Sequence, residues 1–210
     1  MSAAAQFDHL VYATPDVARS TDELESRIGT RPVVGGRHAA WGTYNTLLSL
    51  GEGAYLEIIG PDPEAEPPGG PRPFGIGRIA APRLATWVAR TGSLEAIVQR
   101  ARVAGVELGG PLPRSRQRPD GTVLRWTMTD SLAPREGGVI PFFIDWGDSP
   151  HPSRGIPDGG RLVRLQARHP EPARVRALLA ALGVELDVES GAAPGLIATI
   201  ATPAGTIELR

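Results

Sequence analysis

Residues 53–61, "GAYLEIIGP", place a single carboxylate in the middle of an apolar β-strand. Glu57 is flanked by Tyr55 and Leu56 on one side and by Ile58 and Ile59 on the other. A buried carboxylate without a partner is costly, so such a residue usually meets a hydrogen-bonding group or a metal ion. The stretch therefore predicts a strand whose acid marks a site, and the partner of Glu57 has to come from elsewhere in the chain.

The residues before this strand complete a β-α-β-β-β unit over residues 7–60. "FDHLVYAT" (7–14) is rich in β-formers, and "PDVARSTDELESRIG" (15–29) begins with Pro and Asp and ends with Gly, which is typical of a helix. "RPVVGG" predicts a short strand, and "TYNTLLSLG" with "AYLEIIG" predicts a hairpin around "GEG".

The same order of elements recurs twice further along the chain, after segments rich in Pro and Gly. Repeats of this size override a local interpretation of the fold. We predict a domain over residues 1–148 that contains modules 7–60 and 83–148, a linker over 149–159, and a third module over 160–210.

Two alignments connect the three modules. The closing strands "YLEII", "FIDWG" and "TIELR" align with one another, which places Glu57, Asp145 and Glu208 at one equivalent position. The opening strands, aligned on the start of the helix that follows each, place His9, Thr86 and Arg164 at another. An acid and a residue of the first strand therefore recur as a pair.

Composition limits the classes of partner. The 210 residues carry a net charge of −1, which gives no support for a nucleic-acid or membrane-surface partner. The absence of cysteine excludes disulfides and a thiolate nucleophile. "MSAAAQ" has neither a basic start nor an apolar core, and no apolar run approaches the ~20 residues of a membrane span, so we expect a cytoplasmic protein.

The tandem unit, with a His in its first strand and an acid in its last, resembles the vicinal oxygen chelate superfamily, which includes glyoxalase I, the extradiol dioxygenases and the bleomycin-resistance proteins. "GGRHAAWGTYNTLLSLGEGAYLEIIGPDP" together with "PFFIDWG" is most similar to its glyoxalase-like branch. The resemblance implies an α+β fold in which modules one and two pair into a partly open eight-stranded barrel with outer helices and an inner pocket. A third βαβββ-like module is added to it.

The resemblance also implies metal ligands on the first and last strands of each module, at His9, Glu57, Thr86 and Asp145. Thr86 departs from the family pattern. His9, Glu57 and Asp145 together suit a divalent ion such as Mn, Fe, Zn or Ni. The alternative is a hydrogen-bonded pair of His9 and Glu57 in a metal-free pocket. Because side chains two apart share a face of a strand, Phe143 is expected to face the pocket with Asp145.

Further candidates lie around the same pocket. His38 follows a double Gly, and we interpret it, with Glu57, as a catalytic residue; the alternative is a surface histidine. The residues expected to bind the substrate are Trp41, Asn45, Tyr55, Arg116, Trp126 and Phe143. The competing roles are core packing for the tryptophans, a strand cap for Asn45 and a solvated hairpin end for Arg116.

The third module has no partner module in the chain. We expect its Arg164 and Glu208 to form an ion pair in place of a metal, and the module to dock on its counterpart in a two-fold homodimer. Docking on the first two modules of the same chain is the alternative. His151 and His169 adjoin prolines and are expected to be exposed.

Two functions are compatible with these residues. One is metal-assisted lyase, isomerase or dioxygenase chemistry on a small oxygenated organic molecule, with a carboxylate or His38 as the base. The other is a metal-free protein that binds and sequesters such a molecule, as the bleomycin-resistance proteins do. The sequence identifies neither the substrate nor the reaction.

Overall fold

The structure, a computed structural model, describes residues 5–51, 53–132 and 135–210. Its elements in chain order are β1 (Gln6–Ala13), α1 (Val17–Ile28), β2 (Val33–His38), β3 (Thr43–Ser49), β4 (Tyr55–Pro61), β5 (Arg83–Arg90), α2 (Leu94–Val103), β6 (Leu112–Gln117), β7 (Val123–Met128), β8 (Phe142–Asp145), β9 (Arg161–His169), α3 (Pro172–Leu182), β10 (Asp187–Ser190), β11 (Gly195–Thr202) and β12 (Gly205–Leu209). The predicted βαβββ order is therefore present three times. Of the predicted "GEG" turn, Glu52 lies outside the described residues.

The first helix shows why these local predictions succeed. The side chain of Asp16 caps α1 by accepting a hydrogen bond from the backbone N–H of Arg19 at 3.0 Å. Gly29 ends the helix in the left-handed conformation, with a φ of 84°. Leu24 and Ile28 are buried against the sheet. Capping residues and apolar spacing are local signals, so the sequence displays them directly.

The first two modules share one closed barrel with the strand order β1-β4-β3-β2-β6-β7-β8-β5. The two first strands, β1 and β5, run antiparallel along one join between the modules. At the other join, β2 and β6 meet through a single residue pair, Arg37 and Gln117. The ring therefore closes, whereas the resemblance implied a partly open barrel, and its weakest seam is the one between β2 and β6.

The third module has the same order of elements but a different order of strands. Its sheet runs β10-β9-β11-β12, with β10 parallel to β9. In the first module, the closing strand β4 lies parallel beside β1. Glu208 lies on β12, two strands away from β9, so the predicted equivalence of Glu208 with Glu57 is wrong. Both modules have the same order of helices and strands along the chain. That order does not determine which strand pairs with the first strand of the module.

The third module packs on the other modules of its own chain. The backbone N–H of Leu84 donates to the carbonyl of Arg210 at 2.7 Å, and that of Ala204 donates to the carbonyl of Ile28 at 3.1 Å. Side chains of α3, β9 and β11 belong to one apolar core with those of α1, α2 and β5. This is the alternative to docking between chains. The homodimer was predicted because the third module had no partner in its own chain. The module does have such a partner, so the homodimer stays a prediction without this motivation.

The outer face of this sheet is polar and exposed. Arg164 pairs with Asp187 and lies 4.0 Å from Glu189, while Glu208 pairs with Arg210 at 3.0 Å. The predicted ion pair between Arg164 and Glu208 is therefore wrong, because the change in strand order gives each residue a different neighbour.

His169 is 5% exposed, not exposed as expected, because it lies where the third module meets the second. Its Nε2 is 3.1 Å from a carboxylate oxygen of Glu136, and Arg174 of α3 binds the same carboxylate at 2.6 Å. This ion cluster ties α3 and the end of β9 to the segment before β8.

Among the described residues, none of the helices has the length and apolar character that a membrane span requires.

Candidate functional site

The barrel encloses a cavity of about 30 Å³ whose lining is polar at one end and apolar at the other. The polar and ionisable lining residues are His9, His38, Tyr55, Glu57 and Arg116; the others are Trp41, Ile59, Phe74, Val88, Trp126, Met128, Ile144 and Trp146. Most of the residues predicted to form the site therefore surround one cavity. They come from both modules, because the barrel brings the inner faces of β1, β4, β6, β7 and β8 together.

The orientation of His9 depends on an irregularity in β1. The pairing of β1 with β5 shifts between Phe7 and His9, so Asp8 is the extra residue of a bulge. Bulges re-aim side chains and are frequent beside active sites. Here the carboxylate of Asp8 accepts a hydrogen bond from Nδ1 of its neighbour His9 at 2.6 Å. The His9 ring also stacks on Tyr55, with ring centroids 4.3 Å apart. Both contacts direct Nε2 towards Glu57.

Asp8 is fully buried and accepts two further hydrogen bonds, from Trp146 Nε1 at 3.1 Å and from His151 Nε2 at 3.0 Å. Burial alone would raise the pKa of Asp8, but the hydrogen bonds from His151 and His9 outweigh it and hold that pKa well below its usual range. Asp8 is therefore an ionised carboxylate that connects β1 to the linker.

His151 was expected to be exposed, and this is wrong. Its side chain is 15% exposed, and its ring lies edge-on to Tyr55 with centroids 5.6 Å apart. The predicted linker thus closes one side of the site, because the buried charge of Asp8 attracts the imidazole N–H.

Glu57 has two partners. Its Oε1 accepts a hydrogen bond from the side-chain amide of Asn45 on β3, and its Oε2 lies 3.7 Å from Nε2 of His9. Asn45 is fully buried, and its own carbonyl oxygen has no hydrogen-bond partner among the described residues. Asn45 and His9 thus contact Glu57 from two sides, and His9 and Glu57 both line the cavity.

His38 and Arg116 complete the polar end. Nδ1 of His38 lies 3.2 Å from the hydroxyl of Thr43. Burial, assisted by the charge of Arg116, lowers the pKa of His38 to about 3, so its imidazole is neutral near pH 7. Arg116 on β6 is 4% exposed, and its aliphatic stem packs where Gly36 leaves room on β2. The cavity therefore holds one fixed cation and one neutral imidazole beside the pair of Glu57 and His9.

Asp145 does not join this group. Phe142 and Ile144 face the barrel interior, while Phe143 packs in the core on the helix side, so the predicted orientation of Phe143 is wrong. Asp145 lies at the mouth, where its carboxylate accepts the backbone N–H of Gly147 at 2.9 Å.

The strand pairing explains this misplacement. Val11 and Val88 each lie six residues before their helix (11 to 17 and 88 to 94), and they pair with Glu57 and Phe142 respectively. The equivalent of Glu57 in the second module is therefore Phe142, three positions before Asp145 (142 to 145).

The residues present do not fit a divalent metal site. Within the described residues, no three His, Cys, Asp or Glu side chains are arranged to hold a metal ion. His9 and Glu57 offer two donors, whereas Thr86 donates its hydroxyl to the carbonyl of Gly138 at 2.9 Å. The buried guanidinium of Arg116 also opposes a second cation in the same cavity. The metal-ligand role of His9, Glu57 and Asp145 stays a prediction, and no step below depends on it.

Three tryptophans separate the cavity from a wide cleft. Trp41, Trp126 and Trp146 line both the inner cavity and an open cleft of about 1140 Å³ outside it. The rings of Trp126 and Trp146 lie 5.3 Å apart, and the guanidinium of Arg114 lies 5.3 Å above the ring of Trp41. A molecule that enters the cavity from the cleft has to pass these rings.

Several residues of the site were not predicted from the sequence, among them Asp8, His151 and Phe74. Asp8 and His151 depend on the bulge and on the path of the linker, which no local pattern displays. Phe74 lies between the first and second predicted modules, and its ring is 5.6 Å from that of Phe142 inside the barrel. Phe74 adopts a φ of 58°, which is uncommon for a residue other than glycine. The one sequence signal was a large aromatic residue beside a polar, Pro-rich segment.

The paired modules and the inner cavity are those that the resemblance to the vicinal oxygen chelate superfamily implied. The family model of the glyoxalase-like domain matches residues 7–183, and the chain belongs to this family. The match continues beyond residue 148, the end of the predicted two-module domain, into the first strand and helix of the third module. No curated protein is similar enough in sequence to count as a match.

Solved structures are similar to this chain at low sequence identity. A hypothetical protein from Staphylococcus aureus superposes with a TM-score of 0.66 at 13% identity, over 98% of this chain and 99% of that chain. A methylmalonyl-CoA epimerase from Mycobacterium tuberculosis gives a TM-score of 0.44 at 17% identity, over 70% of this chain and 89% of that chain. The first likeness includes the third module, so the whole architecture occurs in another protein.

Proposed function

We propose that this protein binds a small oxygenated organic molecule in the barrel cavity and moves a proton on it, as an isomerase or lyase does. His9 and Glu57 are the residues that handle the proton. The observation that supports this proposal is that Nε2 of His9 and Oε2 of Glu57 lie 3.7 Å apart in the lining of one cavity that also carries aromatic rings. A carboxylate and an imidazole so placed suit general acid–base catalysis.

The surrounding contacts assign different parts to the two groups. The amide of Asn45 holds one oxygen of Glu57, which leaves the other oxygen to take a proton from a carbon atom next to a carbonyl group. Asp8 only accepts hydrogen bonds, so it keeps a proton on Nδ1 of His9 and presents Nε2 to the ligand. His38 is neutral and buried, and we assign it to ligand binding in place of the catalytic role expected from the sequence.

A second candidate function is binding without chemistry, as in the sequestering role considered from the sequence. The tryptophans at the mouth favour it, because Trp41, Trp126 and Trp146 offer stacking surfaces for a flat ligand whether or not a proton moves. The two functions use the same cavity and differ only in whether the bound molecule is changed.

Exchange of carbon-bound hydrogen tests the proposal. The protein, treated with a chelator, is incubated in D₂O with a panel of small 2-oxo acids, 2-hydroxy acids and 1,2-diones, and proton NMR follows the hydrogens next to each carbonyl group. We expect exchange with at least one compound, and Glu57→Gln should slow it by about 10² to 10⁴. The matched control is Glu208→Gln, which changes an exposed acid of the third module and should have no effect.

Three outcomes distinguish the alternatives. Binding without exchange supports the sequestering function. Exchange that appears only after Mn, Fe, Zn or Ni is restored returns the metal-assisted mechanism. Neither binding nor exchange across the panel contradicts both functions.

A further inference from the structure

Arg116 is a buried cation without a counter-ion in contact with it. It is 4% exposed, and no described residue accepts a hydrogen bond from its guanidinium or lies within ion-pair distance of it. Its Nε is fully buried and unpaired. Buried charges in proteins are normally paired, so an arginine in this state is a candidate for a partner that arrives from outside.

The neighbours of Arg116 are already committed elsewhere. The two oxygens of Glu57 face Asn45 and His9, and His38 is neutral. Burial lowers the pKa of Arg116; the charge of Glu57 opposes this effect and that of Arg118 adds to it. The polar end of the cavity thus has a guanidinium whose donors remain available to an acceptor group of a ligand.

The size of the cavity limits what reaches this guanidinium. A single water needs roughly 10–15 Å³ of such volume. The observed volume of about 30 Å³ therefore suits a group of two oxygen atoms better than an aromatic ring. The rest of a larger ligand has to extend between Trp41, Trp126 and Trp146 towards the cleft of about 1140 Å³.

We infer that the ligand is a carboxylic acid with two distinct parts, a carboxylate that binds Arg116 inside the barrel and a flat apolar body that stacks on the tryptophans at the mouth. This inference rests on the proposed function and adds the chemical class of the ligand to it. The planar fork of a guanidinium matches the two oxygens of a carboxylate. His9 and Glu57 line the same cavity as Arg116, so a ligand whose carboxylate binds Arg116 shares that space with both.

Matched acids and amides test this inference on the full chain. The probes are benzoate, phenylacetate and 3-phenylpropionate, each beside its neutral amide, together with acetate as a head without a body and phenylphosphonate as a larger head. Quenching of tryptophan fluorescence and the shift of the thermal unfolding midpoint report binding. We expect at least one aryl acid to bind ten- to a hundredfold more tightly than its amide, and acetate and phenylphosphonate to bind more weakly.

Variants of Arg116 and Arg118 test which arginine causes the preference for the acid over the amide. Arg116→Gln should remove the preference for the acid over the amide, whereas Arg118→Gln, on the segment that follows β6, should preserve it. Arg116→Met should raise the unfolding midpoint of the ligand-free protein, because it removes a buried charge without a partner. This last measurement depends on no ligand and checks whether Arg116 is the unpaired cation described here.

Each result has one meaning. Equal binding of acids and amides, or tighter binding of phenylphosphonate, overturns the inference and leaves the proposed function intact. An unchanged preference in Arg116→Gln overturns it as well. Failure of every probe to bind, together with the absence of exchange in D₂O, contradicts the inference and the proposed function together. A preference for the acid that is lost only in Arg116→Gln supports both parts of the site.

Discussion

Asp8 is the residue that holds the site together, since its buried carboxylate orients His9 and binds Trp146 and His151. A strand residue next to a pocket residue normally points to the opposite face. The bulge in β1 removes that constraint. The same carboxylate therefore serves the orientation of His9 and the attachment of the linker.

Asp8→Asn removes the negative charge of this side chain and keeps its shape. We expect Asp8→Asn to lower the free energy of unfolding at pH 7 by roughly 3 kcal/mol, because it leaves buried donors without their charged acceptor. The pKa of Asp8 is held below its ordinary value of 3.8, so the stability that its charge contributes is present above pH 3.8 and is lost as the pH falls below it. Denaturant unfolding at pH 7 and at pH 2 should therefore show a smaller difference between variant and parent at the lower pH.

The control is Asp145→Asn, which changes an acid at the mouth that binds only the neighbouring backbone. A loss of stability in Asp145→Asn as large as in Asp8→Asn would contradict the special position of Asp8. The rate of hydrogen exchange in D₂O should also fall in Asp8→Asn, on the order of tenfold or more, and its pH profile should change shape because His9 loses its orienting anion.

His38 makes the folded chain sensitive to acid. Burial lowers its pKa from 6.5 to about 3, so between these values the unfolded chain binds a proton that the folded chain excludes. The free energy of unfolding therefore falls as the pH is lowered through this range, by about 1.4 kcal/mol per pH unit for this one group.

His38→Gln should make the pH dependence of stability shallower by about one proton between pH 6 and pH 4. Urea unfolding across this range measures the slope, and an unchanged slope would contradict the burial of a neutral His38.

At the scale of secondary structure, the barrel depends on a close approach at its weakest seam. Gly36 of β2 has a φ of 146°, and a Cβ atom there would lie 2.1 Å from the carbonyl oxygen of Gln117 on β6. Gln117 belongs to the single pair that joins β2 and β6. The same Cβ would lie 2.8 Å from Cγ of Arg116. A side chain at position 36 therefore disturbs both the ring of strands and the packing of Arg116.

Gly36→Ala should destabilise the protein by roughly 2–4 kcal/mol, because neither backbone strand can move away without opening the ring. The control is Gly110→Ala, shortly before β6, where a Cβ meets nothing within 4 Å and a change within about 0.5 kcal/mol is expected. Chemical denaturation gives both values, and equal stability of the two variants would contradict the tight seam.

The predictability of each element follows from how far its determinants lie apart in the chain. The ends of α1 and α3 were predictable because Asp16, Gly29 and Gly183 act within a few residues. Strand pairing was predictable only by analogy among the modules. That analogy failed for the third module, where β10 instead of the closing strand lies beside β9.

The residues of the candidate site also differ in how far they could be predicted from the sequence. His9, Glu57 and Tyr55 lie in regular strands whose alternation can be read from the sequence, and all three line the cavity. Asp145 and Phe143 were misplaced because the closing strands were aligned on their acids. The strand pairing instead aligns Glu57 with Phe142, three residues before Asp145. Alignment on strand pairing needs contacts between distant residues, and a single sequence does not contain them.

At the scale of the whole molecule, the three modules share one apolar core. Leu179 of α3 is 1% exposed and belongs to the same apolar core as Leu94 and Ile97 of α2. We expect Leu179→Ala to lower the free energy of unfolding by about 2–5 kcal/mol and to leave a single transition. Circular dichroism and tryptophan fluorescence should report the same midpoint, although all four tryptophans lie outside the third module.

Two separate transitions would show instead that the third module unfolds by itself. Val163→Ala is the matched control, because Val163 is 51% exposed on the same module. Light scattering of the full chain tests the predicted homodimer independently of these variants.

The two modules of the barrel share one architecture but contribute different side chains to the cavity. The first module supplies His9, His38 and Glu57, while the positions in the second that correspond to His9 and Glu57 are Thr86 and Phe142. Among the described residues of the second module that line the cavity, Arg116 is the one with an ionisable side chain. Saturation with ligand should therefore end at one molecule per chain, and substitutions should be tolerated less in the first half of the barrel than in the second.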